Sequence, residues 1–260
     1  MPTAEPRAAP DPRWSGLPAV EARGVGVKFG ALRALSDVSI AVHTGSVHGL
    51  IGPNGSGKST LLHALAGKRV PDSGQVFANG VDITRASPAK RSRLGLSIKF
   101  QLARVYPQLT VSENMLVALQ AHTPLRALLM SRTRSSLTSQ LESRLAEVGL
   151  AGRGAEVAKH LSHGQQQWLE IAMARALEPT VLLLDEPTAG MSPQERRVTG
   201  EIIRLASRAA GVLIVDHDLD FIKDLCTEMT VLAQGVVVAT GTPAEIEADP
   251  IVQEVFLTRV

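Results

Sequence analysis

Gly52-Pro53-Asn54-Gly55-Ser56-Gly57-Lys58-Ser59 fits the spacing G-x-x-x-x-G-K-[ST], with Thr60 following. The amides of such a loop converge on an anion only where a positive φ is cheap, which explains the glycines. The pattern predicts a buried strand over residues 47–51 feeding the loop. A helix over 58–66 leaves it, with Gly67 as its stop. That helix directs the partial positive charge of its N-terminus at the same point. Lys58 would then reach the outer phosphates of a nucleotide, and the Ser59 hydroxyl would ligate Mg²⁺.

A second candidate site follows an apolar run. "VLLLDEP" (181–187) reads as a buried parallel strand closed by Pro187. Asp185 ends that strand, where a doubly wound sheet places its ligand crevice, and suits Mg²⁺ held through water. Glu186, one residue further, could accept a proton from an attacking water. The loop alone leaves kinases, GTPases, helicases and transport ATPases open, and this carboxylate pair narrows the field.

"LSHGQQQWLEIAMARALEP" (161–179) reads as a helix opened by the capping pair Ser162 and Gln165 and ended by Pro179. Gly164 in its first turn costs about 1 kcal/mol relative to Ala and asks for a reason. Ser162 and Gln165 either simply cap, or the side-chain-free turn lets backbone amides approach an anion. His163 either contacts nucleotide or fills space.

Taken in order, these motifs resemble the ATP-binding subunits of ABC transporters over about residues 21–255. The family signature Leu-Ser-Gly-Gly-Gln is matched by Leu161, Ser162, Gly164 and Gln165, with His163 in place of one glycine. The resemblance implies that Gln101, after "KFQ", senses Mg²⁺ and couples the site to membrane subunits through the surface around 102–112. It implies that "TAGMS" (188–192) is the D-loop, with Ser192 where many members carry aspartate. His217, ending "VLIVDH", becomes the switch histidine, and Phe29 or its neighbour the adenine-stacking aromatic. The implied fold is an α/β phosphate-loop ATPase of ABC type. It has a mixed and parallel sheet core, a β-subdomain, and a helical subdomain inserted at about 102–178.

The implied ligands are ATP and Mg²⁺. The implied partners are a second ATP-binding subunit, identical or not, two transmembrane permeases and, indirectly, a solute-binding protein. Each ATP would lie between the phosphate loop of one copy and the Ser162 helix tip of the other, at the cytoplasmic face of a membrane. "LSHGQQQWLEIAM", "DEPTAGMSP" and "DPIVQEVFL" look like subunits serving branched-chain amino acid uptake, whose relatives include urea and short-chain amide importers. His163 and the Gly190-Met191 pair lean toward the urea-like members. Two rival classes differ more deeply. A non-transport ABC ATPase would favour a coiled-coil insertion or a second phosphate loop, and neither is present. A non-hydrolysing scaffold has only Ser192 and His163 as hints.

The elements that must position these groups follow from periodicity. Residues 24–29, 38–42, 46–51, 75–80 and 95–100 read as strands around one helix. Residues 102–178 read as mostly helical, with a Ser112 cap and leucines at 137, 141 and 145. Strands return at 181–184 and 212–215. A hairpin turns at Gln234-Gly235 and a short helix follows Pro243. No internal repeat breaks this order.

Composition bounds the rest. The 260 residues are 44% hydrophobic and 20% charged, with 3% aromatic residues, too few for a base-stacking nucleic-acid surface. A single cysteine, Cys226, excludes an intrachain disulfide and a multi-cysteine metal site. No apolar run approaches the ~18–20 residues needed to span a bilayer. Residues 1–20 hold five prolines and no apolar segment, so they read as a flexible tail. From Ile83 to Leu141 nine basic residues face one acid, Glu113. That block is either a solvated face or one turned toward anionic lipid or a membrane partner, with Arg91 and Arg93 in its middle.

Overall fold

The structure is a computed structural model that describes residues 16–98, 105–121 and 140–257. Expectations placed on residues 1–15, Lys99, Gln101, Arg104, Arg126, Arg132, Arg134 and Leu137 lie outside them. Two sheets organise the chain. In the first, β1 (Val20–Phe29) pairs antiparallel with β2 (Leu32–Val42) and β4 (Ser73–Ala78), and β5 (Val81–Asp82) adds an edge, in the order β2-β1-β4-β5.

The second sheet contains β3 (Val47–Ile51), β6 (Leu96–Ile98), β7 (Val181–Asp185), β8 (Gly211–Val215), β9 (Glu228–Ala233) and β10 (Val236–Gly241). Its order is β10-β9-β3-β8-β7-β6. Every neighbouring pair is parallel except β9 with β10. All residues of β3 and β8 are buried, as the continuous apolar runs predict for strands covered on both faces.

Alternation along these strands divides the interior into two cores. Leu50, Leu183, Leu213 and Val215 face the antiparallel sheet across α1 (Lys58–Ala66), which contributes Leu61, Leu62 and Leu65. Ile51, Leu182, Leu184, Val212 and Ile214 face the opposite way, toward the helices. The phosphate-loop helix is therefore wedged between two sheets, with Leu61, Leu62, Ala64, Leu65 and Ala66 buried and its first turn left open. α1 has the bounds the sequence predicts, and Gly67 closes it at φ 77°.

The helical part holds α3 (Val111–Gln120), α4 (140–147), a short 3₁₀ turn (Ala158–His160) and α5 (His163–Arg175). Leu141 and Leu145 are buried in its core. The cap of α3 corrects the expectation: Thr110, not Ser112, is the N-cap. Glu113 lies three residues after Thr110, so the two close a reciprocal capping box. Ser112 instead donates its backbone N–H to Gly154 O.

Four helices go beyond the sequence expectation or extend it. α2 (Pro88–Arg93) is a second helix in the first hundred residues, opened by Ser87 with Pro88 in its first turn. α6 (Pro193–Ser207) and α7 (Leu219–Leu225) were not foreseen, and α9 (Pro250–Leu257) follows the expected α8 (Pro243–Ala248). The β9–β10 hairpin turns as expected at Gln234-Gly235, whose φ values of 47° and 79° are those of a primed two-residue turn.

The basic block is corrected at Arg91, which has no exposed surface. Its guanidinium donates to Ala64 O and Leu65 O at the end of α1, and to Thr84 O and Ala86 O. It cannot belong to a docking face. Arg85, Lys90 and Arg93 are exposed.

Candidate functional site

The phosphate loop runs from the buried end of β3 into α1. Gly52 has φ 146°, and any Cβ there would overlap the Leu232 carbonyl oxygen of β9. Gly57, the N-cap of α1, has φ 107°, and a Cβ would come within 2.7 Å of Ala34 O. Both positions demand glycine because neighbouring backbone closes on the loop from two sides. Lys58 Nζ folds back and donates to Gly52 O at 2.7 Å and Pro53 O at 2.9 Å. A cation is thereby held over the loop, a few ångströms from where an anion would sit.

A cavity of about 660 Å³ opens in front of this loop. Asn54, Gly55, Ser56, Gly57, Lys58, Ser59 and Thr60 line one side, and Asp185 and Glu186 line another. Parallel pairing of β3, β8 and β7 brings the loop and the carboxylates to the same sheet edge. Asp185 ends β7. Glu186 leaves the strand with φ 46°, its N–H bonded to Val215 O at 2.7 Å, and its side chain is exposed. Gly52 and Pro53 frame the loop from behind through the contacts with Lys58.

Ser59 and Asp185 line one cavity and offer hard oxygen donors, a hydroxyl and a carboxylate. That pair fits Mg²⁺, which takes few protein oxygens and keeps the rest of its octahedron for water and phosphate. Gln101, the third ligand expected, lies outside the described residues.

Phe29 is half exposed at the end of β1 and lines the cavity. The Arg69 guanidinium lies 5.0 Å from its ring centroid and also donates to Lys28 O at 2.8 Å, which fixes the strand end. Leu32, Arg33, Ala34, Val215 and Gln234 complete the lining. Sequence reasoning missed these walls. Gln234 had a usable signal, because a tight hairpin turn places its tip residue at a fixed sheet edge.

His217 is not among the residues lining the cavity. It follows β8 with its side chain 71% exposed. Its backbone N–H is bonded to Asp216 Oδ1 at 2.8 Å. Asp216 is buried and also accepts from Asp218 N and from the backbone and hydroxyl of Thr188. Asp216 was not singled out in the sequence, although "VDHD" carries two acids around the histidine.

Ser162, Gly164 and Gln165 lie apart from the cavity. Ser162 caps α5, accepting from Gln165 N at 3.2 Å, and Gln165 Oε1 accepts from Ser162 N at 3.0 Å. α5 ends at Arg175, two residues short of the expected Leu177. Ser162 is exposed to solvent and is not among the residues lining the cavity. Gly164 has a reason inside the chain: a Cβ would overlap the Glu195 carboxylate, whose Cδ would stand 2.7 Å away. His163 Nε2 lies 3.1 Å from Ala189 O. Ser192 caps α6 and forms a capping box with Glu195.

Among the described residues no helix is long and apolar enough to cross a membrane. A family model described as ABC transporter matches residues 35–189. The chain is 36% identical over 222 residues to the lipopolysaccharide export system ATP-binding protein LptB of Acidithiobacillus ferridurans, covering 85% of this chain and 89% of that protein. It is 30% identical over 251 residues to the high-affinity branched-chain amino acid transport ATP-binding protein LivG of Escherichia coli (strain K12), covering 92% and 98%. Among solved structures it resembles an ATP-binding cassette of an ABC transporter in its ADP conformation. There the TM-score is 0.80 at 28% identity, with 93% of this chain and 99% of the other covered.

Proposed function

The chain belongs to the ABC transporter family, and from that premise we propose that it powers import by a membrane complex, one copy's phosphate loop and another's Ser162 tip gripping a shared ATP. It is a transporter ATP-binding subunit and an ATPase. The observation that carries the mechanism is the single cavity lined by Lys58, Ser59, Asp185, Glu186 and Phe29 together.

In this reading the loop amides and Lys58 neutralise the β- and γ-phosphates, and Phe29 stacks on the adenine. Ser59 and Asp185 hold Mg²⁺, which supplies charge neutralisation of the phosphate oxygens when bound. Glu186 orients and deprotonates the attacking water, and His217 meets the γ-phosphate once two copies close. Gln101 links the site to the permeases. The Ser162–Gln165 tip is displaced from its own cavity and solvent-facing, which supports its acting on a nucleotide held by the second copy. Phosphoryl transfer is mostly positioning and charge stabilisation, so losing one positioned group is severe.

Glu186→Gln is expected to keep ATP binding and accumulate a closed dimer with ATP and Mg²⁺. Rapid turnover by that variant would refute the assignment of the base.

The transported solute is proposed to be a branched-chain amino acid, with urea or a short-chain amide as the second reading, on the motif likenesses at 161–173 and 185–193. The relatives' printed roles range from lipopolysaccharide export to sulfate and ribose import. Reconstitution with two permeases and a solute-binding protein decides it: leucine, urea or acetamide should stimulate the ATPase selectively. An ATPase indifferent to any membrane partner would favour a non-transport role, and absent hydrolysis a scaffold.

A further inference from the structure

α5 and α6 begin side by side, and one carboxylate joins them. Glu195 Oε2 accepts from Ser192 N at 3.0 Å and Ser192 Oγ at 2.8 Å, an ordinary capping arrangement. Its other oxygen, Oε1, accepts the Ser162 hydroxyl proton at 3.0 Å. Ser162 Oγ is already the acceptor for Gln165 N. A serine hydroxyl has one proton to give. In this arrangement it is given to Glu195.

The rest of the tip is shaped around the same carboxylate. Gly164 is buried and lacks the Cβ that Glu195 would strike. His163 reaches Ala189 O in the loop before α6, a second tie between the two helix starts. Glu195 is only half-buried and Ser162 is exposed, so an incoming anion can reach both. Hydrogen bonds from the Ser192 backbone and hydroxyl, then from Ser162, hold the Glu195 carboxyl below its ordinary value of 4.5. It is charged at neutral pH.

We propose that Glu195 is a positioning residue that holds the Ser162 hydroxyl in the nucleotide-free protein and must release it before that hydroxyl can grip a triphosphate from a second copy. The inference rests on the face-to-face reading above. An anion at a helix N-terminus occupies the place a phosphate would take, and two anions within a few ångströms repel. Release leaves Glu195 on Ser192, so the cap of α6 survives while the tip of α5 is freed. The exchange makes dimer closure dependent on a triphosphate strong enough to displace the carboxylate.

Glu195→Gln isolates this role. Its amide oxygen can keep the bonds from Ser192, since Gln also serves in a capping box. Its NH₂ group then donates to Ser162 Oγ and leaves the serine proton for phosphate. The measurement is the ATP concentration giving half-maximal dimer by sedimentation velocity, with Mg²⁺, in a Glu186→Gln background. Adding Glu195→Gln is expected to lower it about tenfold, the scale of one charge-assisted hydrogen bond. Binding of a fluorescent ADP to dilute monomer should not change. With Ser162→Ala also present, the gain should shrink to the smaller part that comes from removing the Glu195 charge alone.

An unchanged or raised half-point overturns the proposal, as does a gain of the same size without the Ser162 hydroxyl. If Glu186→Gln alone forms no ATP-dependent dimer, the face-to-face reading falls, and this inference falls with it. A parent that dimerises while Glu195→Gln adds nothing overturns only the role of Glu195.

Discussion

Thr188 Oγ1 donates to Asp216 Oδ2 across 2.6 Å, joining the loop after β7 to the loop after β8. The same carboxylate accepts the N–H groups of Thr188, His217 and Asp218. Arg196 adds a second lace by pairing with Asp218, the N-cap of α7. The loops bearing Glu186 and His217 thus share one buried anchor. Asp216→Ala would leave four donors without that acceptor, the two of Thr188 buried, a loss of about 2–4 kcal/mol by urea denaturation. Thr188→Val removes only one hydroxyl and should cost about 1 kcal/mol. Where the protein still folds, kcat for ATP should drop more than KM rises, because binding contacts at Lys58 stay in place. A pure KM effect would show that the anchor does not set the catalytic loops.

Lys58 spends its ammonium on the carbonyls of Gly52 and Pro53. A phosphate would compete for that ammonium, exchanging bonds to neutral carbonyls for bonds between opposite charges. Lys58→Ala should therefore weaken ATP affinity about 10–100-fold, measured by titration with a fluorescent nucleotide. Thermal stability of the free protein should change little, since carbonyls at the loop mouth can turn to water. Unchanged affinity would count against the cradle.

Arg91 closes the far end of the same helix. Burial pushes its guanidinium down to about 10, the nearby Asp82 opposing the shift, so it is still charged at neutral pH. Four carbonyl oxygens, of Ala64, Leu65, Thr84 and Ala86, depend on it. Two belong to the last turn of α1, where the C-cap Gly67 N–H also reaches Ala64 O at 3.2 Å. Arg91→Met should destabilise the protein by about 2–4 kcal/mol in urea. Arg91→Lys should recover only part of that, because a single ammonium cannot span a planar fork of acceptors. Arg93→Glu, on an exposed position, should stay within about 0.5 kcal/mol.

The difference between Arg91 and Arg93 shows where the sequence stops being legible. A charge run counts sign but not direction, and nothing local to residues 85–93 says that one guanidinium turns inward to the end of α1. Elements with their own steric logic were readable: the strand, loop and helix over 47–66, the Ser162 cap, and the Gln234-Gly235 turn. Thr110 and Ser112 are both plausible caps by type; the partner Glu113, three residues from Thr110 alone, decides between them. α6 carried the same kind of signal in Ser192 and Glu195 and went unread beside the D-loop motif. Asp216 comes beside the loop after β7 through pairing of strands far apart in sequence, which periodicity cannot register.

Gly164 tests whether the contact with Glu195 accounts for its missing side chain. Its backbone is helical and not of positive φ, so alanine there is conformationally allowed and should gain a few tenths to about 1 kcal/mol of helix propensity. Against that gain stands the Glu195 carboxylate, which would have to swing away and surrender its bond from Ser162. In the natural background the two effects oppose, and Gly164→Ala should be neutral or destabilising by about 1 kcal/mol. With Glu195→Ala already present the obstacle is gone, and the same substitution should stabilise the protein. A thermodynamic cycle of the four proteins in urea measures that change of sign. Equal effects in both backgrounds would mean that Gly164 is kept clear for something other than Glu195.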